Sequence, residues 1–520
     1  MSNIPTSTKV LVVGGGPAGS TAATLLAHEG FDVTLVEKEV SARYHIGESL
    51  LPASLEVFDL LGIREQIDSY GFYRKSGAFF EWGALKWELD FEQVLNTYSF
   101  QVRRAEFDKL LLDNASAQGA KVFQGIEVRK LNFSGERPCS AVWSQVGMDG
   151  SSGEIFFDYL IDASGRSGLM STRYLQNRQF HQEFQNLGIW GYWKNADVAK
   201  IRPAGSTVSA ALTDGSGWIW AIPLHDGTIS VGLVINKEIY KAKRATVSLE
   251  EIYLNMIANY CPCVADLLAP AELVSTIKVE QDYSYTAKNF CGQGYFLLGD
   301  AACFLDPLLS TGVHLATLSA TMAAASLASI IRAQVTEEQA YAYYDRGYRH
   351  TYLRLLVIVS SFYAIARKQE SAAPAQQLSP VEDKSFALPP NFLPGMEDVA
   401  KAENGLRHQV TAEMTKILAT SSAVFENIES TSMQGEAHTL SMDALFGSLW
   451  QQLFSWSLPK ENGLTVITQP QLGLAPINEP SERLADIENQ NSTTPENLPA
   501  VELMTELLTS TQHYLVIRSI

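Results

Sequence analysis

The chain has 520 residues, which suggests two to four domains at about 150 residues each. Apolar residues make up 46% and charged residues 18%, an ordinary globular composition with ample material for a large core. A formal net charge of −18 argues against nucleic acid or an anionic membrane surface as a partner.

Residues 8–14 form a continuous apolar, β-branched run and predict a buried parallel strand. Residues 17–29 predict a helix with small Ala faces, and residues 31–37 a second strand, so the chain opens as β-turn-α-β. An Arg-led helix is predicted at about 103–118, then a strand-rich stretch to about 165 and alternating strands to about 285. A strand over 294–298 leads into a long helix over about 312–333. That helix is interrupted by His314, Thr317, Ser319, Thr321, Ser326 and Ser329, which suits a buried helix better than a membrane span. Composition shifts near residue 371, where a Pro-rich connection over 371–395 precedes a helical region to about 458. Within that region Leu445, Phe446, Leu449, Trp450, Leu453 and Phe454 recur at helical spacing.

The five cysteines, Cys139, Cys261, Cys263, Cys291 and Cys303, are sparse and odd in number. Cys261-Pro262-Cys263 is C-x-C without a second pair at zinc spacing, so no metal site is expected and all five read as thiols of a reducing compartment. The N-terminus shows neither the basic nor the apolar region of a secretory signal, and the expected location is cytoplasmic.

Gly14, Gly16 and Gly19 have the G-x-G-x-x-G spacing inside the β-α-β frame. Such glycines allow a tight turn, close approach of backbone to a pyrophosphate, and close helix–strand packing, with the phosphates at the helix N-terminus. Glu37 ends the second strand, where a carboxylate can accept hydrogen bonds from a ribose. Gly299-Asp300-Ala301-Ala302 follows the strand over 294–298 and resembles the second FAD fingerprint of the aromatic-hydroxylase superfamily. Asp162-Ala163-Ser164-Gly165-Arg166-Ser167 resembles that superfamily's D-x-x-G-x-x-S segment, although a turn or cap would also use Asp162. Arg103 or Arg104 is positioned to approach the cofactor phosphates.

Further segments narrow the resemblance. Gly217-Trp218-Ile219-Trp220-Ala221-Ile222-Pro223 contains W-x-W-x-I-P, and Gly47-Glu48-Ser49-Leu50-Leu51-Pro52 is a G-E-S-x-x-P loop. Lys75 lies between Gly71 and Gly77, and Pro307-Leu308-Leu309-Ser310-Thr311-Gly312 opens the long helix. Over about residues 8–370 the chain resembles the flavin-dependent halogenases. The resemblance implies an α/β fold: a Rossmann-type FAD-binding domain of the aromatic-hydroxylase/glutathione-reductase type, an inserted β-sheet substrate domain and a helical C-terminal region. The expected division is 1–80, 100–175 and 286–370 for the FAD-binding domain, 81–99 and 176–285 for the substrate side, and 371–520 for the Pro-rich connection and mainly helical remainder.

It also implies roles. Gly14, Gly16, Ala18, Gly19, Glu37, Gly47, Ser49, Arg104, Asp300 and Gly312 would bind FAD, and Thr311 and Gly312 would hold chloride or bromide. Trp218 and Trp220 would wall the flavin off from the substrate, and Lys75 would be the catalytic lysine that holds hypohalous acid or forms a haloamine. The implied reagents are FADH2 from a separate flavin reductase, O2 and halide, and the acceptor is a small aromatic, free or tethered to a carrier protein. The tryptophan-specific branch carries a glutamate where this chain has Leu309, so the expected acceptor is a phenol or pyrrole, which is electron-rich enough to supply its own activation. No general base is identified; His45, His225 and His314 are candidates only by polarity. The absence of a second G-x-G-x-x-G suits a two-component enzyme but also suits an NAD(P)H-dependent aromatic hydroxylase. That reading, an isoprenoid C=C reductase and a non-catalytic flavoprotein remain open at this point.

Overall fold

A computed structural model describes residues 4–40, 45–82, 85–147, 151–370 and 458–477. The first sheet has Ser7–Val13 at its centre, paired in parallel with Val33–Glu37 on one side and Ser152–Asp162 on the other. Lys121–Gln124 and Tyr295–Leu297 extend it in parallel. Val10, Leu11 and Val12 are fully buried, as expected for a parallel strand covered on both faces. The helix Pro17–His28 begins with proline at its first turn, where the missing N–H costs nothing. Gly312–Ile331 is long and apolar enough to cross a membrane, but Val313–Ser329 are buried inside the fold and pack against the first helix.

The second sheet has nine strands. Arg178–Lys194, Thr228–Asn236, Gly217–Pro223 and Thr207–Ala211 run antiparallel in that spatial order. Gly77–Trp82 then pairs in parallel with Thr207–Ala211. Alternation along Gly217–Pro223 sends Trp218, Trp220 and Ile222 into the core shared with the first sheet, and Ile219 and Ala221 into a separate outer core. Trp220 lies across Gly232 of the neighbouring strand: a Cβ there would sit 1.9 Å from its ring.

The expectation of strands throughout to residue 285 is corrected. Lys237–Arg244, Leu249–Tyr260 and Pro262–Leu267 are helices covering the outer face of the second sheet. The signal was present, because Ser248 and Glu251 form a full capping box. A helix over Glu337–Glu370 likewise has no counterpart in the sequence reading. The Leu445–Phe454 stripe and most of the stretch from 371 onward lie outside the described residues. Residues 458–477 form a three-stranded antiparallel sheet tied to the fold through Leu472 N–H on Glu29 and Leu474 N–H on Ser329.

Gly232→Ala should force Trp220 off its seat. The expected result is a loss of about 1–3 kcal/mol in chemical denaturation, as for other overpacked cores, together with a changed intrinsic tryptophan emission.

Candidate active site

The first turn is shaped by contact. Gly14 has φ +110, and a Cβ on it would meet the Ala163 carbonyl at 2.2 Å; one on Gly19 would meet the Gly14 carbonyl at 1.9 Å. Gly16 differs: it caps the first helix, no side chain caps it, and a Cβ there meets nothing within 4 Å. The open helix N-terminus offers free backbone N–H groups and a positive dipole end, which fits a pyrophosphate. Glu37 accepts from Gly15 N–H at 2.6 Å and from Glu39 N–H at 2.8 Å, which fixes its carboxylate beside the turn with lone pairs to spare for a ribose.

Gly299 brings the second fingerprint to the first. A Cβ on it would lie 3.2 Å from Ala316 of the long helix and 3.5 Å from Ala18. Its neighbour Asp300 is raised by burial, against the opposing pull of Arg166, Arg104 and Arg178. Arg104, and not Arg103, faces this region. Arg104 makes a bidentate pair with Asp108 at 2.8 and 3.0 Å and donates to the Ile46 carbonyl at 2.9 Å, directly against Gly47. Arg103 instead pairs with Asp226 and covers the Tyr192 ring at 4.1 Å. Asp162 is an internal organiser, holding Ser164 N–H at 3.0 Å and Met170 N–H at 2.7 Å.

Lys75 ends the short strand Tyr73–Lys75, paired with Ser99–Gln101. It is 2% exposed. Its Nζ donates to the Leu50 carbonyl at 3.1 Å and lies 5.4 Å from the centre of the Phe91 ring. Burial pushes its pKa from 10.5 down to about 7. Across the strand pair, the Ser99 hydroxyl is buried without a hydrogen-bond partner among the described residues. A neutral amine in this position keeps a lone pair available as a nucleophile, and a protonated one can donate to an oxidant.

Trp218 and Trp220 are both buried, with ring centres 6.0 Å apart; Trp82 continues the aromatic surface 6.4 Å from Trp218. Trp220 Nε1 donates to the Ser230 hydroxyl at 3.3 Å. Ser230 in turn reaches Glu48, whose carboxyl accepts from Tyr192 OH at 2.6 Å. The resemblance implies no role for Glu48, which lies in the G-E-S-x-x-P loop. Its burial raises its pKa, and the structure makes it the polar link between that loop and the indoles. Ser49, proposed as a cofactor contact, is buried and hydrogen-bonds Thr207 at 3.0 Å.

At the start of the long helix, Ser310 has φ +58 in the left-handed region and Thr311 is the cap. The Thr311 hydroxyl is buried and without a partner among the described residues, while Gly312 faces open space. An unpaired hydroxyl donor beside a helix N-terminus fits a halide. Leu309, just before it, is buried and apolar. Among the histidines, His225 pairs with Glu106 at 3.0 Å, and burial lowers His314 to about 4, so His314 is a neutral imidazole at neutral pH.

Two elements of this site define its class. The Gly14 turn and the Asp300 turn meet at one helix N-terminus, and a family model described as an FAD binding domain matches residues 7–351. Individual relatives narrow this. A tryptophan 2-halogenase of Chondromyces crocatus is 48% identical over 423 residues, spanning 79% of this chain and 80% of that protein. The flavin-dependent halogenase gsfI of Penicillium aethiopicum is 34% identical over 94% of both chains. Among solved structures, the flavin-dependent halogenase CmlS superposes with TM-score 0.66 at 32% identity, over 80% of this chain and 73% of that one. The chondrochloren halogenase CndH gives 0.65 at 30%, over 88% and 99%. The chain belongs to the flavin-dependent halogenases and is an FAD-dependent oxidoreductase that uses FADH2, halide and O2.

The Lys75 shift carries a sign. Between pH 7 and 10.5 the unfolded chain holds a proton that the native chain has lost, so over that window native stability rises with pH on account of this residue. Lys75→Met should therefore be more stable than the parent at pH 6, with the gap narrowing as pH climbs towards 10. Denaturant melts at stepped pH measure this, and a gap independent of pH would contradict it.

Proposed function

We propose that this halogenase acts on an electron-rich aromatic, a phenol or a pyrrole, with reduced flavin delivered by a separate reductase. The observation that carries the reading is Leu309. A buried leucine at the position where the tryptophan branch has a glutamate can neither hydrogen-bond the lysine's partner nor stabilise a cationic ring. The substrate must then supply its own electron density, as an ionised phenol or a pyrrole does.

Bound FAD supplies the activation of O2. This chain's residues do the rest. Thr311 and Gly312 hold the halide beside the cofactor cradle, and the Trp218–Trp220 surface excludes the aromatic substrate from that side. Lys75, buried behind the Leu50 carbonyl, receives the oxidised halogen and presents it to the ring. Its pKa near 7 lets the same amine act as donor or as nucleophile around neutral pH.

A second reading is favoured by the name of the 48% identical relative, a tryptophan 2-halogenase. Carbon 2 of an indole belongs to its pyrrole ring, so an indole attacked there meets the same requirement for electron density. Reconstitution with reduced flavin, O2, halide and a panel of phenols, pyrroles and free tryptophan, read by mass spectrometry, distinguishes the two. Halogenated phenols or pyrroles with little halotryptophan are expected, and a marked preference for tryptophan would move the assignment to indole carbon 2. Bleaching of bound FAD by NADPH without a reductase would instead favour a hydroxylase-like cycle.

In the same assay Lys75→Ala should lose about a hundredfold or more of product formation while flavin binding, followed by fluorescence, is unchanged. Thr311→Val should raise the halide concentration for half-maximal rate about tenfold, the effect of one lost hydrogen bond to an anion.

A further inference from the structure

Cys261-Pro262-Cys263 has no part in the chemistry above. The two sulfurs lie 3.9 Å apart at the junction between the helices Leu249–Tyr260 and Pro262–Leu267. Cys261 is buried in the outer core, in one cluster with Ile219 and Ala221, the residues that alternate with the two indoles. Cys263 is partly open to solvent. Among the described residues no group of three or more His, Cys, Asp or Glu side chains is placed to hold a metal ion. Cys261 has left the helix, with φ −136 and ψ 76, and Pro262 fixes the following turn, so the sulfurs are held as neighbours by the backbone.

We propose that Cys261 and Cys263 are a peroxide-reactive dithiol that closes to an intrachain disulfide. Closure needs the sulfurs to approach by about 2 Å, within reach of side-chain rotation. The oxidant is hydrogen peroxide, which any enzyme passing reduced flavin to O2 releases when halide transfer fails. Cys263 is the sulfur that peroxide can reach. Its attack forms an S–O bond and breaks the O–O bond, and the departing hydroxide leaves as water with the thiol proton. Cys261 then attacks the sulfenic sulfur: an S–S bond forms, the S–O bond breaks and a second water leaves. Two thiols and one peroxide give one disulfide and two waters, the sulfurs losing the two electrons that peroxide gains. The hydrogen bond between the sulfurs lowers the Cys261 thiol and, with Glu81 beside it, raises Cys263, so Cys261 is favoured as the resolving thiolate and Cys263 gives up its proton only as it attacks.

The test treats the full chain, reduced beforehand, with stoichiometric hydrogen peroxide in the absence of flavin and halide, so its outcome does not depend on the halogenation reading. Of five free thiols, two should be lost and recovered with dithiothreitol, and peptide mapping should join Cys261 to Cys263. Cys261→Ser should leave a sulfenic acid on Cys263 that a dimedone probe labels, and Cys263→Ser should leave Cys261 unoxidised. An unchanged thiol count, sulfinic acid on Cys263 in the parent chain, or loss that maps to Cys139, Cys291 or Cys303 would each overturn the proposal.

Discussion

The burial of one amine sets the terms for the rest of this site. Lys75 carries a charge that water would solvate well, and the fold removes that water in exchange for one acceptor among the described residues, the Leu50 carbonyl. An ammonium needs three acceptors, so the neutral form is favoured and the pKa falls to about 7. The acceptor belongs to the loop that also makes the other decisive contacts. Gly47 meets Arg104, Glu48 reaches Tyr192 and through Ser230 the Trp220 indole, and Ser49 meets Thr207. Four consecutive residues thus join the cofactor cradle, the indole surface and the lysine, and a shift in any one of these is felt by the others.

That loop can work only if its surroundings are rigid, and the second sheet supplies the rigidity through its two unlike faces. Gly217–Pro223 sends indoles inward and Ile219 and Ala221 outward, so the same strand is clamped between two cores. Gly232 is the inward neighbour of Trp220, and its missing side chain leaves the indole its seat. Cys261 belongs to the same outer core as Ile219 and Ala221 of this strand.

The cofactor half was readable because its constraints are local. Close approach demands glycine at positions 14 and 19, which are near neighbours in sequence. Lys75, Trp218, Trp220 and Thr311 were singled out through resemblance, since nothing in their spacing says that a lysine is buried or that a hydroxyl lacks a partner. Glu48 escaped for the same reason: its partners Tyr192 and Ser230 are more than a hundred residues away. The helices over 237–267 were hidden by short length, although Ser248 and Glu251 announced one of them. The helix Glu337–Glu370 was hidden by its tyrosines. Tyr343, Tyr344, Tyr348 and Tyr352 form its buried stripe, and a pattern search for aliphatic residues passes over them. Their hydroxyls are satisfied inside the fold, as in Tyr344 donating to the Leu297 carbonyl at 2.6 Å.

A chain of net charge −18 that must gather FAD phosphates and a halide has to make its positive potential locally. The proposed site would do so mainly with backbone. The open cap at Gly16 and the cap at Thr311 and Gly312 are both helix N-termini, and the two helices pack against each other, so their positive ends can act on one region. The arginines around Asp300 are engaged: Arg104 by Asp108, Arg166 by Glu280 and Arg178 by the Arg166 carbonyl. Pairing each guanidinium while leaving the helix ends unpaired has a chemical consequence. A free guanidinium would hold halide tightly as an ion pair, whereas at the proposed site N–H groups and one hydroxyl would bind it weakly enough for the halide to leave as a nucleophile.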